Sequence, residues 1–106
     1  MEAVRLSRGI GNRLQMARAS IELARARRLL GDAASAKALF EDAFSMLTHR
    51  QWSHWQADCA IYLLELSVEL SDVGSADRWY GEASALEPEH PALASLAAHL
   101  EKLRKD

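Results

Sequence analysis

The 106-residue sequence has one cysteine, two prolines and five glycines, and only 7% of its residues are aromatic. A single cysteine excludes a disulfide within the chain, which is typical of proteins in a reducing compartment. So few prolines and glycines cannot supply the turns of a many-stranded β protein. No apolar run approaches the roughly 18 residues of a membrane span, and the first residues lack the apolar core of a signal peptide. These shortages predict a cytoplasmic protein that does not enter a membrane.

Strand-forming residues are also scarce, since the chain contains three valines, three isoleucines and one threonine. Alanine and leucine are abundant, with 19 and 16 residues, and both favour helices. The hydrophobic and charged fractions, 49% and 26%, are ordinary for a globular domain, and the length fits one domain. The composition therefore predicts a single all-α domain.

Apolar residues at helical spacing divide the chain into five predicted helices. They cover residues 12–30, 34–48, 53–70, 75–86 and 91–106, and Ser75 is the predicted cap of the fourth helix. Asn12 and Gln15 have the spacing of a capping box, so the first helix is expected to begin at Asn12 and the domain to cover residues 12–106. Gly9 and Gly11 weaken any helix before that point, and residues 1–11 are predicted to be frayed or to fold only on binding.

Two segments of the chain are related by a shift of 40 residues. Each contains an aspartate, two alanines and an aromatic residue at the same spacing: Asp32, Ala36, Phe40 and Ala43, then Asp72, Ala76, Tyr80 and Ala83. Small residues let two antiparallel helices approach closely, and the aromatic ring is expected to fill the gap to the next helix pair. The second copy is followed by Pro88, which cannot continue a helix interior.

This pattern resembles the tetratricopeptide repeat (TPR), a 34-residue helix-turn-helix unit. The resemblance implies repeats at residues 17–50 and 57–90 and a capping helix at 91–106, stacked as a short right-handed solenoid of antiparallel helical hairpins. A 40-residue period looks like the longer-helix members of the family, as in bacterial signalling and transcriptional regulators. Of the first-helix signature, only the leucine is kept, as Leu23 and Leu63.

The resemblance also implies a non-enzymatic scaffold that binds a peptide or helix of another protein in a concave groove, lined by the first helix of each repeat. Carried over to this chain, the protein-binding residues are Arg18, Ile21, Arg25, Arg28, Leu29, Asp58, Ile61, Glu65, Val68 and Glu69. Binding is expected to desolvate the apolar members of this set, Ile21, Leu29, Ile61 and Val68. The charged members are expected to orient the partner or, across the groove, to pair with each other.

Motifs for catalysis or for a cofactor are absent: there is no glycine-rich phosphate loop, no H-E-x-x-H and no C-x-x-C. We therefore predict no enzyme activity, no cofactor and no metal. His54, Asp58 and Cys59, with His49 nearby in sequence, could face one another over a helical turn, but their spacing matches no metal-ligand pattern. Cys59 is expected to be a buried structural thiol.

Charge is distributed unevenly along the chain. Residues 1–31 carry a net charge of +5, and residues 32–106 carry −7. The basic first helix could bind an acidic partner or nucleic acid, with phosphate contacts from Arg5, Arg8, Arg13, Arg18 and Arg25. The chain as a whole has a formal net charge of −2, which argues against nucleic acid and favours neutralisation of one half by the other.

Homo-oligomerisation is the alternative function, with the chain acting as an assembly module or as a segment of a larger bacterial regulator. Two repeats bury little core, and Leu96, Leu100 and Leu103 form an apolar stripe that could pair in a dimer. Trp52 and Trp55 fit either the core or an interface, whereas Trp79 is expected in the core.

Overall fold

A computed structural model describes residues 2–48 and 50–105, with the side chains of residues 13–48 and 51–105. Every regular element in this part of the chain is helical, which confirms the predicted all-α class. The five α-helices are α1 (Glu2–Leu29), α2 (Ala33–Met46), α3 (Ser53–Glu69), α4 (Val73–Leu86) and α5 (Pro91–Lys105). A single 3-10 turn, Arg50–Trp52, leads into α3.

The first helix starts ten residues earlier than the sequence predicted. α1 begins at Glu2 and runs through Gly9, Gly11 and Asn12. Glycine costs a helix interior about 1 kcal/mol relative to alanine, which weakens a helix but does not end it. The proposed capping box at Asn12 was therefore wrong. That residues 1–11 fold only on binding stays a prediction.

The turn between α1 and α2 is a Schellman motif. Asp32 N–H donates to the carbonyl of Arg27 at 2.9 Å, and Gly31 N–H donates to that of Arg28 at 3.0 Å. Gly31 supplies the left-handed conformation that the motif needs, with φ of 85°. The Asp32 side chain then accepts a hydrogen bond from the backbone N–H of Ser35 and caps α2.

The turn between α3 and α4 has the same geometry. Asp72 N–H donates to the carbonyl of Ser67 at 2.9 Å, Ser71 N–H donates to that of Val68 at 3.1 Å, and the φ of Ser71 is 56°. The Asp72 side chain accepts from Ser75 N–H, so Asp72 caps α4, and the predicted cap at Ser75 was wrong. The 40-residue shift in sequence thus corresponds to two hairpins with equivalent turns.

Packing follows chain order. α1 packs on α2, α3 packs on α4, α2 packs on α3, and α5 packs on both α3 and α4. The alanines of the repeat pattern, on α2 and α4, are fully buried, and so are alanines of α1 and α3: Ala36, Ala43, Ala76 and Ala83, then Ala17, Ala24, Ala57 and Ala60. Because these side chains are small, the paired backbones can approach closely, as the sequence predicted.

Aromatic rings join one hairpin to the next. Phe40 of α2 stacks on Tyr62 of α3 with ring centroids 5.1 Å apart. Phe44 of α2 meets Trp79 of α4 edge to face at 5.0 Å. Trp79 is buried, as expected for a core residue, whereas Trp55 is half-buried at the surface. The rings therefore fill the space between the hairpins and orient α3 against α2.

The apolar stripe of α5 covers the second hairpin. Leu93, Leu96 and Leu100 are all buried, and Leu103 is half-buried. The predicted dimer contact through Leu96 and Leu100 was therefore wrong, because these side chains already pack within the chain. Among the described residues, none of the five helices combines the length and apolar character that a bilayer span demands.

Candidate binding groove

One face of the molecule is formed by α1, α3 and α5 and contains three hollows. The first, of about 500 Å³, lies between the middle of α1 and Trp55 of α3. The second, of about 530 Å³, lies two to three turns further along α1 and α3. The third, of about 400 Å³, lies between α3 and α5 and shares Arg28, Glu65 and Glu69 with the second. We call this face the groove.

Two arginines of α1 lie over aromatic rings of α3 in the groove. The guanidinium of Arg18 lies 5.2 Å from the ring centroid of Trp55, and that of Arg25 lies 5.9 Å from that of Tyr62. Both the arginines and the aromatic residues are seven residues apart, so the two pairs repeat after two turns of each helix. Each ring attracts the cation and holds it in place at the surface.

Trp55 and Tyr62 are functional candidates that the sequence reasoning missed in this role. Their spacing of seven residues equals that of Arg18 and Arg25, and this match was the available signal. The signal becomes interpretable only when α1 and α3 are known to lie side by side. Until then, a tryptophan and a tyrosine on a helix fit the core equally well.

Arg28 is the third arginine of the groove and is bound by two carboxylates of α3. Its guanidinium contacts Glu65 at 3.2 Å and forms two hydrogen bonds with Glu69. The hydrogen bond with Glu69 raises the pKa of Arg28, with a smaller contribution from Glu65, and together they outweigh the partial desolvation of the group. The predicted pairing across the groove is thus confirmed for Arg28. Arg25 instead pairs with Glu22 of its own helix at 3.4 Å.

The apolar residues predicted for binding divide into two groups. Ile21 and Ile61 are only 7% and 4% exposed, so a partner would desolvate little further surface on either. Ile21 lines the first hollow, so its role in binding stays a prediction. Leu29 is almost fully exposed and Val68 is half-buried, so both remain available to a partner.

Asp58 is engaged in a contact with the turn before α5. The backbone N–H of Ala92 donates to His90 Nδ1 at 3.1 Å, so this nitrogen acts as acceptor and the proton of the neutral ring lies on Nε2. Nε2 lies 3.2 Å from Asp58 Oδ1 and can donate to it. Asp58 therefore connects α3 with the α4–α5 turn, and its carboxylate is less available to contact a partner protein.

The side chains considered as metal ligands are only partly brought together. His54 and Asp58 lie near Glu87, with one potential ligand atom of each within 4.8 Å of the others. Glu87 was missed because it is distant in sequence. Cys59 is fully buried away from this group, and desolvation, followed by the charge of Asp58, raises the pKa of its thiol to about 12. His49 lies outside the described residues.

The arginines considered for phosphate binding do not form one surface among the described residues. The side chains of Arg5 and Arg8 lie outside the described set, and Arg13 is exposed on α1. Arg18 and Arg25 lie over rings in the groove. Arg18 and Arg25 are therefore part of a mixed aromatic and charged face shared with α3.

Comparison of the chain with protein-family models, with curated proteins and with solved structures finds no match in any of the three. The resemblance to TPR proteins accordingly stays a prediction that rests on the 40-residue pattern.

Proposed function

We propose that the protein is a non-enzymatic interaction module that binds a peptide or helix of a partner protein in the groove. The observation that carries this proposal is the pair of exposed arginines, Arg18 and Arg25, held over Trp55 and Tyr62. Each such pair offers a partner a flat apolar ring and a cation at the same place. Aromatic residues and arginine are the residue types enriched at binding hot spots.

The charges of the groove favour an acidic partner segment. Arg28 is neutralised by Glu65 and Glu69, so it offers little charge to a ligand. Arg18 and Arg25 lack such carboxylates from α3, and the only acidic contact described for either is exposed Glu22. A partner with carboxylates about two helical turns apart would meet both guanidiniums, with its apolar side chains against the rings.

A peptide selection on the 106-residue chain tests this function. A phage-displayed library of random 16-residue peptides is selected on the immobilised protein, and the affinity of enriched peptides is measured by fluorescence polarisation. Enriched sequences should contain acidic residues, and the double variant Arg18→Gln/Arg25→Gln should bind them at least about tenfold more weakly. This fold-change corresponds to the loss of two charge pairs of somewhat under 1 kcal/mol each.

Arg78→Gln is the matched control. Arg78 lies on α4 with its guanidinium 4.3 Å from the ring centroid of Trp79, and it lines none of the three hollows that form the groove. Its replacement removes a similar stacked cation and should leave the peptide affinity unchanged. Enrichment of neutral or basic peptides, or equal weakening by the control variant, would contradict binding of an acidic segment in the groove.

The proposal keeps the other expectations from the sequence. A non-enzymatic role agrees with the thiol of Cys59, which is buried and protonated at neutral pH and so is unsuited to act as a nucleophile. The cytoplasm remains the proposed location, since a lone buried thiol suits a reducing compartment. Nucleic acid is not among the proposed partners.

Homo-oligomerisation remains a second candidate, but through another helix. α5 cannot supply the apolar face because Leu96 and Leu100 are buried. α1 carries large apolar residues that are exposed, among them Leu23 and Leu30. These exposed residues support an assembly function as the second candidate, including assembly within a larger bacterial regulator.

A further inference from the structure

α1 carries an apolar stripe on the side facing away from its contact with α2. The stripe consists of Met16, Ala19, Leu23, Ala26 and, just after the helix ends, Leu30. Alternating steps of three and four residues place these side chains in one line along a helix. The large members are exposed, with Met16 at 52%, Leu23 at 46% and Leu30 at 79%. We call this stripe the outer face of α1.

The second hairpin shows what such a face does. The positions 40 residues after those of the outer face lie along α3 and hold Gln56, Cys59, Leu63, Leu66 and Leu70. On α3 the three central residues of this line, from Cys59 to Leu66, are at most 2% exposed. The equivalent line is therefore buried in one hairpin and open in the other.

The helix that covers this line on α3 is α2. Gln56 Nε2, at the start of the line, donates to the carbonyl of Phe44 at 3.1 Å. Tyr62, beside the line, stacks on Phe40 of α2. Because the turns of the two hairpins are equivalent, the outer face of α1 is oriented to accept a helix in the same way. In the part of the chain that the structure describes, no helix occupies that position.

We propose that a second copy of the chain docks on this face, with the two α1 helices antiparallel about a twofold axis. The pattern is complementary to itself because a large residue alternates with alanine along the line. With the axis between positions 23 and 26, Leu23 of each copy lies over Ala26 of the other, and Leu30 lies over Ala19. Each leucine then fills the space that an alanine leaves.

The charges beside the stripe select this register. One edge of the stripe carries Arg13, Ser20 and Arg27, and the other carries Glu22 and Leu29. In the proposed register Ser20 faces Arg27 of the second copy, and Glu22 faces Leu29, so no like charges are opposed. If one helix slid along the other by seven residues, Arg13 would face Arg27 of the second copy, and the Glu22 side chains of the two copies would face each other. Both contacts oppose like charges and are unfavourable.

The size of the face sets the strength of the dimer. In the proposed register the two stripes overlap from Ala19 to Leu30, about 17 Å along the helix. A single helix pair of this length buries less than a standard protein interface, so the dimer should be reversible and should depend on concentration. The outer face adjoins the groove, since Ala19 and Glu22 also line the first hollow, but Arg18 and Arg25 lie outside the stripe. The dimer does not depend on the proposed binding of a peptide in the groove.

The molar mass of the 106-residue chain in solution tests the proposal, measured by light scattering over a range of concentrations. The mass should rise from 11.8 kDa towards twice that value as the concentration increases. Leu23→Glu should keep the chain monomeric, with an unchanged helical circular dichroism spectrum because Leu23 is exposed. Leu70→Glu is the matched control, since Leu70 is a leucine of similar exposure, 51%, at the end of α3. It should leave the dimer intact.

Single cysteines test the orientation. In the proposed register Ala26→Cys should form a disulfide between two copies on mild oxidation, because the twofold axis passes beside this position. Met16→Cys should not, since its two copies would be about 25 Å apart along the helices. Native Cys59 is buried and should not compete.

A chain that stays monomeric at every concentration would overturn the proposal, as would equal effects of Leu23→Glu and Leu70→Glu. Cross-linking through Met16→Cys but not through Ala26→Cys would overturn the antiparallel arrangement. Peptide binding in the groove should persist in the Leu23→Glu variant, so failure of the dimer and failure of the groove are distinguishable.

Discussion

Gly31 and Ser71 occupy the same position in two equivalent turns, and both have a left-handed backbone, with φ of 85° and 56°. Only glycine adopts this conformation without steric cost, so the second turn carries strain that the first does not. The same left-handed turn is therefore formed by glycine in the first hairpin and by serine in the second. The difference allows a paired test within one chain.

Ser71→Gly should stabilise the protein by about 1 kcal/mol, and Gly31→Ala should destabilise it by a similar amount, since a residue with a Cβ pays this cost in the left-handed region. The free energy of unfolding from urea titration measures both. Around Gly31 an added Cβ would meet no neighbouring atom, so the loss can be assigned to the backbone. A neutral or destabilising Ser71→Gly variant would contradict the equivalence of the turns.

The caps of α2 and α4 predict a loss of stability in acid. The hydrogen bonds from the side chain and backbone of Ser35 lower the pKa of Asp32, and those of Ser75 lower that of Asp72. A folded-state pKa below the unfolded value means that the stabilisation is present above the unfolded pKa, near 4, and is lost as the pH falls through the folded pKa.

The double variant Asp32→Asn/Asp72→Asn tests this contribution. Asparagine caps helices about as well as aspartate but does not titrate. Melting temperatures between pH 7 and pH 2.5 should therefore fall less steeply below pH 4 in the variant than in the native chain. Parallel pH profiles would show that the two caps contribute nothing to the acid sensitivity.

Arg28 should contribute more to stability than the other groove arginines. Arg28→Gln leaves Glu65 and Glu69 facing each other without a cation and should lower the free energy of unfolding by about 1 kcal/mol. Arg25→Gln breaks two exposed contacts, with Glu22 and with the Tyr62 ring, and should cost less, roughly 0.5 kcal/mol. In a double-mutant cycle, Glu69→Gln should recover part of the loss caused by Arg28→Gln. Additive effects of these two substitutions would exclude the direct pairing.

Cys59 should report global unfolding. Burial raises the pKa of its thiol to about 12, so almost no thiolate is present at pH 8 and none of the side chain is exposed. Labelling by a thiol reagent should be slow in the native protein and fast in denaturant, with intermediate rates that follow the urea unfolding curve. Rapid labelling of the native chain would show that α3 opens locally or is less buried.

The local features of this fold were readable from the chain. Helix number, the position of the turns and the aspartate–aromatic repeat follow from interactions within a few residues, such as the Gly31 turn. The errors also have local causes. Asn12 has the spacing of a cap, but the backbone before it continues the helix, and Ser75 donates to the Asp72 cap rather than acting as one.

The groove was only partly predictable. The resemblance to the repeat family implied that groove arginines could pair with Glu65 or Glu69, and the structure shows this contact for Arg28. The sequence did not distinguish exposed Leu29 from buried Ile21, because periodicity defines a face relative to the axis of its own helix and not the neighbour that covers it. The sequence could not place Trp55 in the groove for the same reason, since Arg18, which lies over its ring, is on another helix.

The sequence by itself determined that the chain forms five helices in two related hairpins and a final helix, because caps, turns and helical spacing act over short distances. Only the tertiary structure decided which of two equivalent leucines is buried. Leu63 is fully covered because α2 lies against α3, whereas Leu23, at the same position of the first hairpin, remains half exposed because the described chain places no helix before α1. Burial depends on neighbours that are distant in sequence, and the residue type alone does not specify them.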